Sequence, residues 1–421
     1  MGTYDEALRA LCVSPQLARQ VAQRFADAMA GANDRCGLKM LDSQFQTPCG
    51  LEQGEALALD FGGTNLRFFL IGLNNRSFQV LKEKVVSIRP GHGGWNLTSE
   101  AVDGEQLFDF IAAQLQEFTS PNRTYRLGHC FSFPFRPLSR NSGLLLEWTK
   151  EIKTRGVVGQ DVSLLLSQAL QRRGLEHIQP TAILNDTVAA LLCAAYLDND
   201  ADIGSICGTG YNACFRDLSG RIINIEAGNF FADILPVNHY DMELDRSSHN
   251  QGQQRLEKMV SGAYLGELFR LMLVDLHLGP EFLSSQASIS ERFAAPNSLD
   301  SRLLSDLLSG GDLLFAPGGV IPDPAGQQRL LSLAQALAAR SARLIAATYA
   351  GIIQYLDPRW ERRHVISVDG SLYEKMPLFA DHIRTTIDEI GADRACRAEI
   401  RFMKDSSGLG AALAALMEAR H

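Results

Sequence analysis

Twice along the 421 residues, a strand-like apolar run ends on a glycine turn and a second strand-like run follows at once. The first copy is LALDFGGTNLRFFLIGL (57–73), continued by FQVLKEKVVSI (78–88) after an Asn74-Asn75-Arg76 turn. The second is IGSICGTGYNACF (203–215), continued by RIINIEAG (221–228) after Ser219-Gly220. Helical sequence follows each copy. This repeat limits the fold more than any other feature. It predicts a duplicated α/β architecture, each half opening on a three-stranded meander, with a cleft between the halves.

Length and charge narrow the classes. A chain of 421 residues, 46% of them hydrophobic, favours two or three domains with their own cores. The net charge of −8 argues against nucleic acid as a partner, because phosphate backbones select clustered Lys and Arg. Mixed patches such as Asp357-Pro-Arg-Trp-Glu-Arg-Arg-His364 read as solvated surface. No tract reads as long and apolar enough to cross a bilayer, so no membrane partner is expected. The eight cysteines are scattered without a CxxC pair, which argues against structural zinc and a disulfide framework and for a reducing cytoplasm. Cys193, Cys207 and Cys214 lie in apolar runs as small core residues. MGTYDEALRA lacks the basic region and apolar stretch of a signal peptide, and Glu6 stands where myristoylation wants Ser or Thr.

Further elements follow from periodicity. Ser14-Pro15 starts a helix whose Leu17, Val21, Phe25 and Met29 recur every four residues and dock on a larger body. Residues 105–118 read as a helix and 129–135 as the end of a strand. Residues 255–277 and 327–356 read as long helices, VISVDGSLY (365–373) as a strand feeding a glycine turn, and 408–420 as a closing helix. Ser284–Ser301 reads as a surface loop.

The glycine turns carry the chemistry. Gly62-Gly63 leaves backbone N–H groups open to phosphate oxygens, Asp60 can hold a metal-bound water, and Thr64 and Asn65 add polar contacts. An ordinary hairpin turn is the competing reading. GK[ST] is absent, which excludes a P-loop. Cys207-Gly-Thr-Gly-Tyr211 offers a second phosphate turn and Val368-Asp369-Gly370-Ser371 a third contact, so a polyphosphate can be clamped from both sides. TAILNDTVAALLCAAY (181–196) delivers Asn185-Asp186-Thr187 to a helix N-terminus. There Asp186 or Thr187 is an N-cap, or Asp186 is a general base for an attacking hydroxyl; local sequence leaves both open.

Taken in order, these motifs resemble the hexokinase family, glucokinases included, over nearly the whole chain. GLKML (37–41), LALDFGGTNLR, FSFP (131–134) with LLLEWTKEIKTRGVVGQDV (144–162), LNDTVAALL, GTGYNACF, INIEAG, LDRSSHNQGQQRLEKMVSGAYLGEL, VDGSLY and DSSGLGAAL follow the family's order. The resemblance implies a two-lobed, ribonuclease-H-like or actin-like ATPase fold with a central cleft. Its small lobe is 55–184, completed by 408–421; its large lobe is 1–54 with 185–407. It implies ATP-dependent phosphorylation of a hexose, foremost glucose, at the 6-hydroxyl. Ser132, Thr149, Lys150, Asn185, Asp186, Asn212, Glu226 and Glu257 match residues that bind the sugar, with Gln254 close by. Asp186 is then the base and Lys150 the cation near the reacting oxygen. Asp60, Gly62, Gly63, Thr64, Asn65, Thr209, Gly370 and Ser371 match the nucleotide side. Mg²⁺ arrives with ATP, and no protein-bound transition metal is expected, since no histidine, His364 included, has ligand-like spacing. Oligomeric state stays open between monomer and homodimer.

Several side chains read as structural. Trp148 packs against the smaller lobe, Glu267 and Arg270 form a helix-surface pair, and Met259 and Tyr264 are core. Departures from the family border the sugar set: Ala227 for Trp, Gln251 for Pro, Arg255 for an aromatic, Arg155 for a small residue, and a divergent 229–238. They bear on which hexose is preferred, another such as mannose or fructose included. A non-catalytic sugar sensor on the same fold is the rival reading, and it predicts a damaged base or phosphate turn. Hinges are expected near 50–55, 183–186 and 405–410.

Overall fold

In this computed structural model the described residues are 3–31, 36–89, 96–149, 152–277, 295–310 and 324–417. Two helices, α1 (Tyr4–Ala10) and α2 (Pro15–Met29), precede strands β1 (Leu41–Gln46), β2 (Gln53–Phe61), β3 (Asn65–Asn74) and β4 (Phe78–Ser87). Helix α3 (Gly104–Gln116) leads to β5 (Tyr125–Phe131), β6 (Phe135–Ser139), β7 (Ser142–Leu145), α4 (Val162–Arg172), β8 (Ile178–Leu184) and α5 (Asp186–Leu197). The second repeat begins with β9 (Ala201–Cys207), β10 (Tyr211–Arg216) and β11 (Arg221–Asn224). Helices α6 (His239–Ser247), α7 (Arg255–Val260), α8 (Gly262–His277), α9 (Ser301–Leu308) and α10 (Pro324–Leu356) follow. The described chain ends with β12 (His364–Asp369), α11 (Ser371–Lys375), α12 (Phe379–Gly391), β13 (Ala398–Phe402) and α13 (Ser406–Leu416).

The duplication is written in the sheets. One has the order β4-β3-β2-β5-β8; the other runs β11-β10-β9-β12-β13, with β1 added beside β11. Counted along each repeat, both are third, second, first, fourth, fifth. The first meander turns where expected: Asn75 and Arg76 both take positive φ, and Asn74 and Ser77 exchange backbone hydrogen bonds at 3.1 and 3.2 Å. Two left-handed residues suit the twist of the flanking strands.

Two compact units emerge. One comprises Met40–Gly204, Cys214–Ile225 and Met403–His421; the expected smaller lobe falls inside these wider bounds. Its five-stranded sheet buries Leu59, Phe61 and Phe68 against Phe108 and Ile111 of α3 and Leu166 of α4. Trp148 joins this cluster, 4.9 Å from the Phe133 ring, with its indole N–H bonded to the Thr154 carbonyl at 2.8 Å.

The other unit comprises Met1–Lys39, Ser205–Ala213 and Glu226–Phe402. Helix α2 is capped by the Ser14 hydroxyl at 3.1 Å from Leu17 N, starts on Pro15, and lays Val21, Phe25 and Met29 inward against α10. Helix α10 corrects one expectation. It is long and apolar enough to cross a membrane, but 67% of its most apolar window is buried inside the fold. Arg340 lies fully buried in its middle, paired with both Asp241 oxygens at 2.7 and 2.8 Å, as suits a core helix.

Other boundaries also differ. The strand expected through 135 stops at Phe131, with Ser132 N turned onto the Phe61 carbonyl at 3.2 Å, and Phe135 opens a separate hairpin. The strand expected over 221–228 ends at Asn224, because Glu226 is left-handed and a 3₁₀ turn follows. Residues 255–277 form two helices. The N–H groups of Gly262 and Ala263 bond the carbonyls of Gly208 and Thr209 at 2.9 and 3.0 Å, so α8 starts afresh on the second glycine turn. A Cβ at Gly262 would sit 2.8 Å from the Gly208 oxygen. Glu267 and Arg270 are a buried pair at 2.6 Å, with Glu267 also accepting from Asn297 N at 2.6 Å. Tyr264 is half-buried, whereas Met259 is core. In the 357–364 patch Trp360 and His364 are buried, so it is only partly solvated. The closing helix spans Ser406–Leu416. Of the expected loop 284–301, residues up to 294 lie outside the described set, and Ser301 begins α9.

Candidate functional site

In the first unit, β2, β5 and β8 are adjacent and parallel, and Asp60, Cys130 and Leu184 stand in register across them. The chain leaves all three strands at the same edge. Gly62-Gly63, Ser132 and Asn185-Asp186 are therefore delivered to the carboxyl ends of neighbouring strands, where open α/β sheets hold ligands. Asp60, Ser132 and Asp186 all act on the Cys130 thiol. Burial, then the charges of Asp60 and Asp186, push that thiol well above its ordinary range, opposed by hydrogen bonds with Ser407 and Ser132. The thiol stays protonated and is no nucleophile.

Helix α5 shows who caps it. Asn185 Oδ1 accepts from Thr187 N at 3.0 Å and from the Thr187 hydroxyl at 2.7 Å, so Asn185 is the N-cap. Asp186 occupies the first helical position, half-buried, with Oδ1 2.9 Å from Thr187 N. At the first turn, Gly62 N donates to the Asn65 carbonyl at 3.1 Å and Thr64 is exposed. Thr149 is half-buried and its carbonyl accepts from Ile152 N at 3.2 Å. Lys150 lies outside the described residues.

The other unit gathers a second set. Asn212 Oδ1 accepts from Ala213 N at 2.7 Å and Ala227 N at 3.0 Å, which turns Nδ2 toward Glu226, 3.5 Å away. Glu257 Oε2 accepts from Tyr211 N at 3.1 Å, and a Cβ at Gly228 would approach it to 3.1 Å. Burial, and second the Glu257 charge, push the Tyr264 phenol up to about 12. Gln254 is left-handed at the entrance of α7, three residues before Glu257. Thr209 is exposed on the second glycine turn, beside the third: Gly370 has φ 126°, and a Cβ there would meet the Cys207 carbonyl oxygen at 2.4 Å. Only glycine fits. Ser371 follows it, exposed, at the start of α11.

Two groups near these sets escaped the sequence reading. Asp405, at φ 56°, holds Arg67 of β3 at 2.5 Å. Asp245 and Lys258 pair at 2.6 Å beside Gln254 and Glu257; burial would raise the Asp245 carboxyl, but Lys258, Gly252 N and Arg255 together hold it below its usual range. A lysine leading into the apolar pair Met259-Val260 was the available signal.

Comparison with known proteins identifies the family. Two family descriptions, each "Hexokinase", match residues 3–196 and 202–417. Hexokinase-7 of Oryza sativa subsp. japonica is 32% identical over 99% of this chain and 96% of its own length. The same plant's "Hexokinase-4, chloroplastic" is 33% identical over 98% of this chain and 88% of its own. The solved hexokinase from Schistosoma mansoni complexed with glucose is 29% identical over 98% of each chain, with a TM-score of 0.83. The fold is that of the actin-like ATPases. With family matches over both repeats and relatives aligned nearly end to end, the chain belongs to the hexokinase family, enzymes that phosphorylate a hexose from ATP.

Proposed function

We propose that the preferred hexose is glucose, phosphorylated on its 6-hydroxyl with Asp186 as general base. The observation that carries this reading is the division of labour at α5. Asn185 supplies the cap, so the helix does not need Asp186 for it, and Asp186 stands at the carboxyl end of β8 as a carboxylate for proton abstraction. The solved relative with glucose supports the choice of sugar.

Ser132, Thr149, Lys150, Asn185, Asp186, Asn212, Glu226, Gln254 and Glu257 bind one sugar. Their mixed donors and acceptors suit a ring of hydroxyls, and an analogue lacking one leaves buried polar groups unpaired. Lys150 offsets charge on the reacting oxygen. Asp60, Gly62, Gly63, Thr64 and Asn65, with Thr209, Gly370 and Ser371, hold the nucleotide through main-chain amides and short polar groups. Asp60, an acceptor-only carboxylate beside a bare turn, fits a hydrated Mg²⁺, which when bound neutralises charge on the phosphates. The lobes 55–184 with 408–421, and 1–54 with 185–407, close on the sugar and exclude water, itself a competing nucleophile. A reducing cytoplasm belongs to the same reading, supported by the free thiols of Cys12, Cys36, Cys49, Cys130, Cys193, Cys207 and Cys214.

The test is Asp186→Asn. It is expected to melt like the wild type and bind glucose by calorimetry, while turnover in a coupled ADP-release assay falls about 10²- to 10⁴-fold. Wild-type turnover in that variant removes the base assignment.

A further inference from the structure

Residues 248–254 connect α6 to α7 and bring Gln254 and Glu257 into place. Gln254 caps α7 with no side-chain cap bond and in a left-handed conformation, φ 49°. A non-glycine residue there costs on the order of 1 kcal/mol or more and persists only when its surroundings impose it. An ion pair ties the loop around it together. Asp245 of α6 accepts the Gly252 N–H with both oxygens at 3.0 Å and holds Lys258 Nζ at 2.6 Å. Lys258 also donates to the Asn250 carbonyl at 2.8 Å, and Asn250 Nδ2 donates to Gln254 Oε1. Arg255 lies 3.7 Å from Asp245 Oδ2, with its guanidinium 5.5 Å from the Phe231 ring centre.

Stability alone does not account for this arrangement. The Lys258 side chain is only 3% exposed, and an apolar pair of similar volume commonly leaves a fold as stable as a buried ion pair or more so. What an apolar pair cannot do is fix the Asn250 carbonyl and the Gly252 N–H at once. Resting on the reading that Gln254 and Glu257 bind the hexose, we propose that Asp245 and Lys258 are positioning residues. They hold the 248–254 loop and the start of α7 in the sugar-binding arrangement before the hexose arrives, with Arg255 as a second cation on Asp245.

Three measurements test this. Lys258→Met is expected to raise the glucose KM by about tenfold or more, with the ATP KM unchanged and kcat little altered, since weakened binding common to ground and transition states raises KM alone. The double variant Asp245→Leu/Lys258→Met is expected to restore the melting temperature but not the glucose KM; recovery of both together overturns the proposal, as does an unchanged KM in the single variant. Hydrogen exchange of the sugar-free wild type is expected to show the Gly252 amide already protected. Free exchange that becomes protected only with glucose overturns the proposal even where the variants do not fold. Glu257→Gln separates the two readings: a wild-type glucose KM there removes the site assignment, while the amide protection still reports on the loop.

Discussion

His129 shows how much one side chain decides. It lies in β5 with Leu59 and Ile183 as its neighbours across the sheet, 5.3 Å from the Phe131 ring. Among the described residues neither ring nitrogen has a hydrogen-bond partner, and burial lowers its pKa to about 3. The folded chain therefore holds the neutral ring, while the unfolded chain gains a proton below about 6.5. Stability from this group is complete above pH 6.5 and is lost as pH falls toward 3, at about 1.4 kcal/mol per pH unit. By pH 5 the loss is about 2 kcal/mol. His129→Leu is expected to remove this slope and to be the more stable protein at pH 5, read from urea unfolding at pH 7, 6 and 5. Equal slopes in both proteins would show that the ring is not held neutral. None of this was legible in GHCFSF, because β5 lies inside its sheet and is buried on both faces from Leu127 to Phe131, a position that residue alternation does not reveal. Local sequence likewise left the cap of α5 open; only the path of the Thr187 N–H and hydroxyl to Asn185 assigns it.

At the scale of elements, the strands of the two meanders were legible because their period, their turns and their repeat agree, whereas β1, β6, β7 and β13 were not. The break between α7 and α8 was not. Ser261-Gly262 is a weak stop, and the cause is a distant carbonyl, Gly208, that takes the Gly262 N–H. The same non-local logic hid Asp245 from Lys258. The site sets were legible where they follow strand ends, which the repeated topology places at one edge. Helix α13 adds a constraint of its own: a Cβ at Gly410 would lie 2.1 Å from the Ala189 carbonyl oxygen of α5, and one at Gly128 of β5 would lie 1.8 Å from the Ala411 oxygen. The helix therefore rests on bare backbone on two sides. Gly410→Ala improves helix propensity by about 1 kcal/mol, yet is expected to destabilise by about 1–3 kcal/mol, since backbone must shift. Ala412→Gly, which only loses propensity and a buried methyl, is the control. A melt for Gly410→Ala at or above the wild type would show that α13 can move away from α5 without loss.

At the scale of the molecule, the chain passes between the two compact units at 39/40, 204/205, 213/214, 225/226 and 402/403. The hinge stretches expected at 50–55, 183–186 and 405–410 all lie inside one unit. Asn212 and Glu226 each stand within two residues of a passage, whereas Asp186 and Glu257 belong to different units, well away from one. The residues assigned to the sugar thus come from both units. Under the proposed function, coupling closure to sugar binding ties catalysis to the presence of a substrate better than water. Small-angle scattering is expected to show a smaller radius of gyration with saturating glucose and no change with ATP alone. Asp186→Asn keeps the decrease, because it still binds sugar, while Glu257→Gln loses it at the same glucose concentration. Unchanged scattering in a wild-type enzyme that turns over glucose normally would mean that the site is assembled before the sugar arrives, and that water is kept from the phosphate by some means other than closure.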